Sequence, residues 1–81
     1  MNIVKSVRKN PKSVRLETGK SYAMKFKPEI SLGPTEWRIV SIEIDEIGDV
    51  MACLQSLGDV PFMEWVNLAY VTSITPLEEK R

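Results

Sequence analysis

The sequence predicts a small all-β protein made of short antiparallel strands. Segments rich in β-branched residues alternate apolar and polar positions, which is typical of strands with one buried face. Glycine- and proline-containing turns separate these segments at short intervals, as in a meander of hairpins. A chain of 81 residues has room for one hydrophobic core only. We predict a single domain over residues 1–81, with residues 1–12 as a basic N-terminal arm or edge strand and residues 77–81 as a flexible C-terminus.

Two segments carry the clearest strand signals. Residues 22–27 alternate strictly, with apolar side chains at every second position. Residues 37–44 form the run that is densest in β-branched residues. Ile39 and Val40 stand side by side in this run and break its alternation. We predict a bulge or bend there that lets both side chains reach apolar surroundings.

Shorter segments complete the predicted set of strands. These strands cover residues 2–8, 14–16, 50–57, 62–66 and 71–75, and the turns between strands fall at 9–12, 18–20, 28–35, 45–49 and 58–61. Val66, Tyr70 and Ile74 follow helical spacing, so an amphipathic helix is the alternative near the end of the chain. A helix of eight or nine residues is marginal on its own. We therefore predict a single 3₁₀ turn and a last short strand that ends at Pro76.

The order of these elements over residues 14–77 resembles that of SH3-like barrels, which close with a strand, one tight turn and a final strand. The resemblance predicts a compact SH3-like barrel of five or six short antiparallel strands, with a short 3₁₀ turn before the last strand. Curling the sheet buries one continuous face and removes most exposed edges. An Sm-like barrel shares much of this order but normally begins with a helix, which residues 1–12 do not predict. The largest side chains expected in the core or at its mouth are Tyr22, Phe26, Trp37, Phe62 and Trp65.

The cysteine and histidine content restricts the chemistry of the chain. Cys53 is the only cysteine, and histidine is absent. An internal disulfide therefore cannot form, and the usual ligands of structural zinc are missing, so we predict no metal and no cofactor. The charged N-terminal segment does not match a signal peptide, and no apolar run reaches the roughly 18 residues of a membrane span. These features predict a cytoplasmic protein without membrane association.

No catalytic motif is present, and we predict that the protein is not an enzyme. Without histidine, Ser–His and Cys–His nucleophile pairs cannot form. Cys53 has apolar neighbours in a predicted strand, which favours a buried small side chain over a reactive thiol. Acidic residues at positions 43, 45, 46 and 49 surround one turn, but their spacing differs from that of an EF-hand loop and favours a solvated hairpin tip. The isolated glycines match neither a P-loop nor a dinucleotide-binding fingerprint.

Charge is distributed unevenly along a chain whose net charge is zero. Residues 1–38 hold nine basic and three acidic residues, a net charge of +6. Residues 39–81 hold two basic and eight acidic residues, a net charge of −6. Opposite charges that meet across neighbouring strands or across a self-association surface explain this pattern. The alternative is a basic arm for an anionic partner.

Two functional hypotheses follow from these patterns. The first is a non-enzymatic interaction module that forms a homo-oligomer and binds a protein partner, because a small core with several methionines gains stability from association. The second, less favoured, is nucleic-acid binding through the basic N-terminal half, since phosphates attract lysine and arginine and unstacked bases attract aromatic rings. The residues predicted to contact an anion or nucleic acid are Lys5, Arg8, Lys9, Lys12, Arg15, Lys25 and Lys27, with Trp37 as the stacking residue.

Overall fold

Antiparallel β-structure dominates the fold. A computed structural model describes residues 2–9, 14–30 and 32–77, and in these ranges the regular structure is all strand except for one 3₁₀ turn. The elements are β1 (Asn2–Val4), β2 (Ser6–Lys9), β3 (Val14–Glu17), β4 (Ser21–Phe26), β5 (Glu36–Ile44), β6 (Val50–Ser56), β7 (Met63–Asn67), the 3₁₀ turn (Leu68–Tyr70) and β8 (Val71–Pro76). The predicted all-β class is confirmed. The radius of gyration is 12.0 Å, close to the roughly 12 Å expected of a compact domain of this length.

Strand β5 organises the larger sheet. The strands of this sheet follow the order β7–β6–β5–β4–β8, and β1 is a further neighbour of β5. Strand β6 pairs with β5 along nearly its whole length, while β4 pairs with the first part of β5 and β1 with residues 42–44. Strands β2 and β3 form a separate two-stranded sheet.

The strand ladder differs in two respects from the predicted barrel. Among the described residues, the larger sheet ends at β7 on one side and at β8 on the other, so hydrogen bonding does not close it. The described residues also hold eight strands: six of them, β3–β8, lie within residues 14–77, where the resemblance predicts five or six, and β1 and β2 are two more in residues 2–9. The predicted strand over residues 2–8 divides at Lys5, because β1 pairs with β5 whereas β2 pairs with β3.

The predicted bulge in β5 is confirmed, but its effect on Val40 differs from the prediction. Ile39 lies opposite Leu54 and Ser41 lies opposite Cys53, so Val40 is the additional residue. Ile39 is fully buried, whereas the side chain of Val40 is exposed. Ile39 and Val40 thus keep the ordinary alternation of a strand, and the extra residue shifts the alternation after them, so that Ile42, like Ile39, faces the core.

The 3₁₀ turn before the last strand is also confirmed, and the helical alternative is wrong. Leu68–Tyr70 forms a single turn, and the side-chain oxygen of Asn67 accepts a hydrogen bond of 2.9 Å from the amide of Ala69. The chain then enters β8, which ends at Pro76 as predicted. Pro76 lies opposite Tyr22 at the end of the β4–β8 ladder.

The core lies on the inner face of the larger sheet and extends to β3. Trp37 is its largest member, and the rings of Phe26 and Phe62 meet the Trp37 ring edge to face at centroid distances of 6.3 and 5.6 Å. The Tyr22 hydroxyl accepts a hydrogen bond from the Glu17 amide and donates one to the carbonyl of Arg15, which ties β3 to β4. The buried cluster comprises Leu16, Tyr22, Met24, Trp37, Ile39, Ile42, Ala52, Leu54, Val66, Leu68 and Val71.

The predicted burial of the aromatic residues is confirmed only in part. Tyr22 and Trp37 are buried, and Phe26 packs against the core while partly buried. Phe62 is 43% exposed and meets the Trp37 ring at the margin of the core, which agrees with a position at the mouth, whereas Trp65 is 51% exposed on the side of the sheet away from the core, so the prediction is wrong for Trp65. For Trp65 the reason is its register, because it lies opposite Cys53 and shares that residue's side of the sheet.

Candidate functional site

The outer face of β5, β6 and β7 is the side of the sheet that points away from the core. Buried core residues alternate along β6 with residues of this outer face, as the period of two in a strand requires. Cross-strand register places the outer-face residues in three rows. The rows are Glu43–Met51–Asn67, Ser41–Cys53–Trp65 and Arg38–Gln55–Met63.

Large apolar side chains are exposed on this outer face. Met63 is 62% exposed and Trp65 is 51% exposed, and both lie on β7 at the end of the sheet. Ile3 on β1 is also exposed and lies opposite Glu43, which extends the apolar area across β5. We call Ile3, Met51, Met63 and Trp65 the Trp65 face. Single exposed apolar residues are ordinary on protein surfaces, whereas several on one sheet face make that face a candidate interaction surface.

A concave site lies next to Trp65. It has a volume of about 260 Å³, and its lining includes Glu43, Asp45, Met51 and Trp65. We call it the Trp65 cavity. The register of β5, β6 and β7 places Glu43 beside Met51, with Trp65 diagonal to Met51 on the next strand.

The β5–β6 turn fixes the position of Asp45 at the edge of the cavity. Oδ1 of Asp45 accepts hydrogen bonds from the amides of Ile47 and Asp49, at 3.1 and 2.9 Å. Gly48 donates its amide to the Asp45 carbonyl at 3.1 Å. The first two bonds hold the carboxylate of Asp45 against the backbone of the turn, and the third closes the turn itself, so the position of Asp45 is fixed within the fold.

Cys53 lies behind the Trp65 face and is buried, as predicted. Its Sγ atom is 3.9 Å from Sδ of Met63. Burial raises the pKa of the Cys53 thiol, and the nearby carboxylate of Glu43 raises it further. Both effects disfavour the thiolate, which is the reactive form of cysteine. Cys53 is therefore suited to packing rather than to nucleophilic chemistry.

A second concave site lies between β2, the β5–β6 turn and the 3₁₀ turn. Its volume is about 240 Å³, and Arg8, Asp49 and Asn67 contribute polar groups to its lining. The side chain of Asn67 already accepts the Ala69 amide. The site lies where β2, the β5–β6 turn and the 3₁₀ turn meet. Its lining is more polar than that of the Trp65 cavity.

The predicted anion-binding residues fall into two groups. Arg8 and Arg15 lie directly opposite each other in the β2–β3 hairpin, and both are exposed. The Arg15 guanidinium donates to Oγ of Ser6 at 3.3 Å. Lys5 is exposed between β1 and β2, Lys9 lies on β2, and Lys12 lies outside the described residues.

Of the two remaining lysines, Lys25 lies on β4 of the larger sheet, and Lys27 follows the end of that strand. Lys25 is exposed on β4, opposite Ser73 of β8. The ammonium group of Lys27 lies 5.9 Å from the centre of the Tyr70 ring, within the roughly 6 Å range of a cation–π contact. Neither lysine lies on the β2–β3 sheet that carries Arg8 and Arg15.

Trp37 does not have the position that base stacking requires. Its side chain is 0% exposed, and Nε1 donates to the carbonyl of Pro34 at 3.1 Å. Both ring edges and faces are occupied by the core, so the prediction that Trp37 stacks on a nucleic-acid base is not supported. The exposed tryptophan is Trp65, which the sequence predicts in the core or at its mouth.

The alternation in β7 would predict the exposure of Trp65 only if it were known which side of β7 faces the core. Met63 and Trp65 share one side of β7, while Glu64 and Val66 share the other. Both sides thus hold apolar residues, and periodicity alone does not decide which side is buried. The pairing of Val66 with buried Ala52 settles the question in the structure.

The described residues contain no group of three or more side chains that could hold a metal ion. In the same part of the chain, no helix is long and apolar enough to cross a membrane. No protein-family model, no curated protein and no solved structure matches this chain. The candidate site therefore rests on its own geometry.

Proposed function

We propose that this chain is a non-enzymatic interaction module of the SH3-like barrel class that self-associates through the Trp65 face. The observation that carries the proposal is the exposure of Met63 and Trp65 on a regular sheet whose opposite side holds the buried core. Covering such side chains removes apolar area from water, and aromatic residues and methionine are enriched in protein interfaces. A domain of 81 residues also gains stability from association.

The free edge of β7 supports the same proposal. Among the described residues, β7 pairs with β6 alone. The Ser56 amide donates to the Phe62 carbonyl, so every second residue from Phe62 onward bonds to β6. The backbone groups of Met63, Trp65 and Asn67 consequently point away from β6, toward the free edge. A row of unpaired amides and carbonyls is a template for another chain.

The nucleic-acid alternative has weaker support. Its stacking residue, Trp37, is buried, and among its described basic residues Arg8 and Arg15 lie on the β2–β3 sheet whereas Lys25 lies on β4 of the larger sheet. The exposed Trp65 lies beside the carboxylates of Glu43 and Asp45, which repel phosphate. We therefore favour a protein interface over a nucleic-acid interface at this face.

Sedimentation velocity over a wide range of protein concentrations tests the proposal. We expect the wild-type chain to form a dimer or higher oligomer, and Trp65→Ala to weaken this association by roughly tenfold or more, since burial of a large apolar side chain contributes about 1.5–3 kcal/mol. Ile47→Ala is the matched control, because Ile47 is 83% exposed at the β5–β6 turn and lies off the Trp65 face. A chain that stays monomeric to millimolar concentration, or an oligomer that ignores Trp65→Ala, would contradict the proposal.

A further inference from the structure

The edge that β7 presents differs from the edge at the other end of the sheet. Strand β8 ends at Pro76 and has polar exposed side chains, and proline is one of the residues that protect a sheet edge from pairing. Strand β7, Met63–Asn67, contains neither proline nor lysine. In the described part of the chain it pairs with β6 alone, and the backbone groups of Met63, Trp65 and Asn67 point away from β6. Such an edge accepts an added strand.

A second copy of β7 is complementary to this edge in one register. When two copies pair antiparallel about a two-fold axis, the residue on the axis sets the register. An axis at Glu64 places two glutamates directly opposite each other, and like charges in that position are destabilising. An axis at Val66 carries Met63 past the end of the strand, opposite Ala69 of the 3₁₀ turn. An axis at Trp65 pairs all five residues of β7 and avoids both problems.

We propose that two copies of this chain join by antiparallel β7–β7 pairing centred on Trp65, which makes one continuous sheet across the dimer. The inference rests on the proposed self-association and names its contact. Trp65 of each copy exchanges two backbone hydrogen bonds with Trp65 of the other, and the Asn67 amide of each copy donates to the Met63 carbonyl of the other. The outer faces of both copies lie on the same side of the joined sheet.

This register also brings an apolar side chain to the Trp65 cavity. The lining of the cavity is almost wholly apolar, and its volume of about 260 Å³ is below the roughly 300–1,000 Å³ of small-molecule sites, so it suits a single side chain. Met63 of the second copy lies diagonal to Trp65, within the roughly 7–8 Å over which long side chains meet across a sheet. Methionine fills irregular gaps, and its sulfur packs favourably against aromatic rings. Met63 of each copy therefore covers the Trp65 cavity of the other.

The size of the contact sets the strength of the dimer. A standard interface involves about 20–30 residues on each side, whereas β7 has five residues to pair. Contacts below the standard size are typical of weak, reversible complexes. We therefore expect a dissociation constant in the micromolar range. Assembly stops at the dimer, because pairing about a two-fold axis uses the same edge of both copies and the β8 edge ends in proline.

Sedimentation equilibrium of full-length Asn67→Pro and Asn67→Ala tests the edge pairing. Both changes remove the side-chain oxygen that accepts the Ala69 amide, but only proline also removes the backbone amide that points to the second copy. The φ angle of Asn67, −74°, lies within the range that proline requires, so the fold accommodates the change. We expect a dissociation constant at least fivefold higher for Asn67→Pro than for the matched control Asn67→Ala. Far-UV circular dichroism checks that both variants are folded.

Disulfide formation in a Cys53→Ala background tests the register without altering the backbone. Met63 lies opposite Asn67 of the second copy, at the roughly 5.5 Å between Cα atoms of a hydrogen-bonded pair, which suits a disulfide. The two copies of Met63 lie four residues apart along the strands, roughly 14 Å and too far for a disulfide, and the same holds for Asn67. A mixture of Met63→Cys and Asn67→Cys chains should therefore form a covalent dimer on mild oxidation, whereas neither variant alone should.

The outcomes separate this inference from the proposed function. A wild-type chain that stays monomeric contradicts both. A dimer that Trp65→Ala weakens, but in which Asn67→Pro equals Asn67→Ala and the mixed chains do not crosslink, contradicts only the edge pairing and points to two sheets packed face to face. Crosslinking of Met63→Cys alone, as efficient as that of the mixture, would overturn the Trp65-centred register.

Discussion

At the scale of single residues, Trp37 is the largest fully buried side chain of the core. Its ring meets Phe26 and Phe62 edge to face, and its Nε1 donates to the Pro34 carbonyl. We expect Trp37→Ala to lower the free energy of unfolding by about 3–5 kcal/mol, because it leaves a large cavity and removes these contacts. Urea denaturation followed by far-UV circular dichroism measures this change.

Trp65→Ala is the control for Trp37→Ala, since both changes remove the same side chain. The variant should change stability far less than Trp37→Ala at concentrations where the chain is monomeric, because Trp65 is half exposed. Equal losses of stability in the two variants would show that the burial assigned to these tryptophans is wrong.

The two tryptophans also show that residue type alone does not predict which large apolar side chains are buried. Size and hydrophobicity place both in the core, and for Trp37 this prediction is confirmed. The side of Trp65 depends on its pairing with Cys53, and that pairing joins residues 12 positions apart through a turn whose length the sequence leaves open. The buried position of Cys53, in contrast, follows from its apolar neighbours and is confirmed.

At the scale of elements, the β5–β6 turn depends on one glycine. Gly48 has φ = +92°, in the left-handed region that other residues rarely adopt. We expect Gly48→Ala to lower the free energy of unfolding by about 1–2 kcal/mol. No heavy atom lies within 4 Å of an added Cβ, so the loss comes from the backbone rather than from a clash.

Gly58→Ala is the matched control for the turn, since Gly58 also has open space around it but does not require a positive φ. This change should be neutral or slightly stabilising, because alanine restricts the unfolded chain more than glycine does. Thermal unfolding of the two variants measures the difference. A similar loss in both would assign the cost to the added methyl group instead of the turn conformation.

Local sequence patterns predict most of the strands, but they do not predict pairing between strands that are far apart in the sequence. Strict alternation in residues 22–27 and the β-branched run of 37–44 correspond to β4 and β5, and Pro76 ends the last strand as expected. The division of the N-terminal segment at Lys5 is not predictable from periodicity. Its two halves separate because β1 meets β5, some 40 residues away, while β2 meets β3 nearby.

At the scale of the whole molecule, the sheet order determines which surfaces stay available. Strand β5 is enclosed by β6 on one side and by β4 and β1 on the other, so its backbone is largely satisfied within the sheet. In the described residues, β7 and β8 end the ladder. Of these two, β7 carries Met63 and Trp65, whereas exposed Thr72, Ser73 and Thr75 give β8 a polar surface. The candidate interface therefore follows from topology and composition together.

Because Cys53 is buried, the free energy of unfolding of the whole fold is expected to fall at alkaline pH. Burial and the Glu43 carboxylate raise the pKa of the Cys53 thiol in the folded protein. As pH rises past the ordinary pKa of cysteine, the unfolded chain loses this proton while the folded chain keeps it. The folded state then binds more protons, so the free energy of unfolding falls with pH until the folded thiol also ionises.

Comparison with Cys53→Ala isolates this effect from the lysines and tyrosines that titrate in the same range. We expect the stability advantage of the wild-type chain over Cys53→Ala to shrink between about pH 7 and about pH 10, because only the wild-type chain carries the thiol. Urea denaturation at a series of pH values measures this difference. A difference that stays constant would mean that the thiol ionises equally in both states, and that Cys53 is open to solvent despite its place behind Met63.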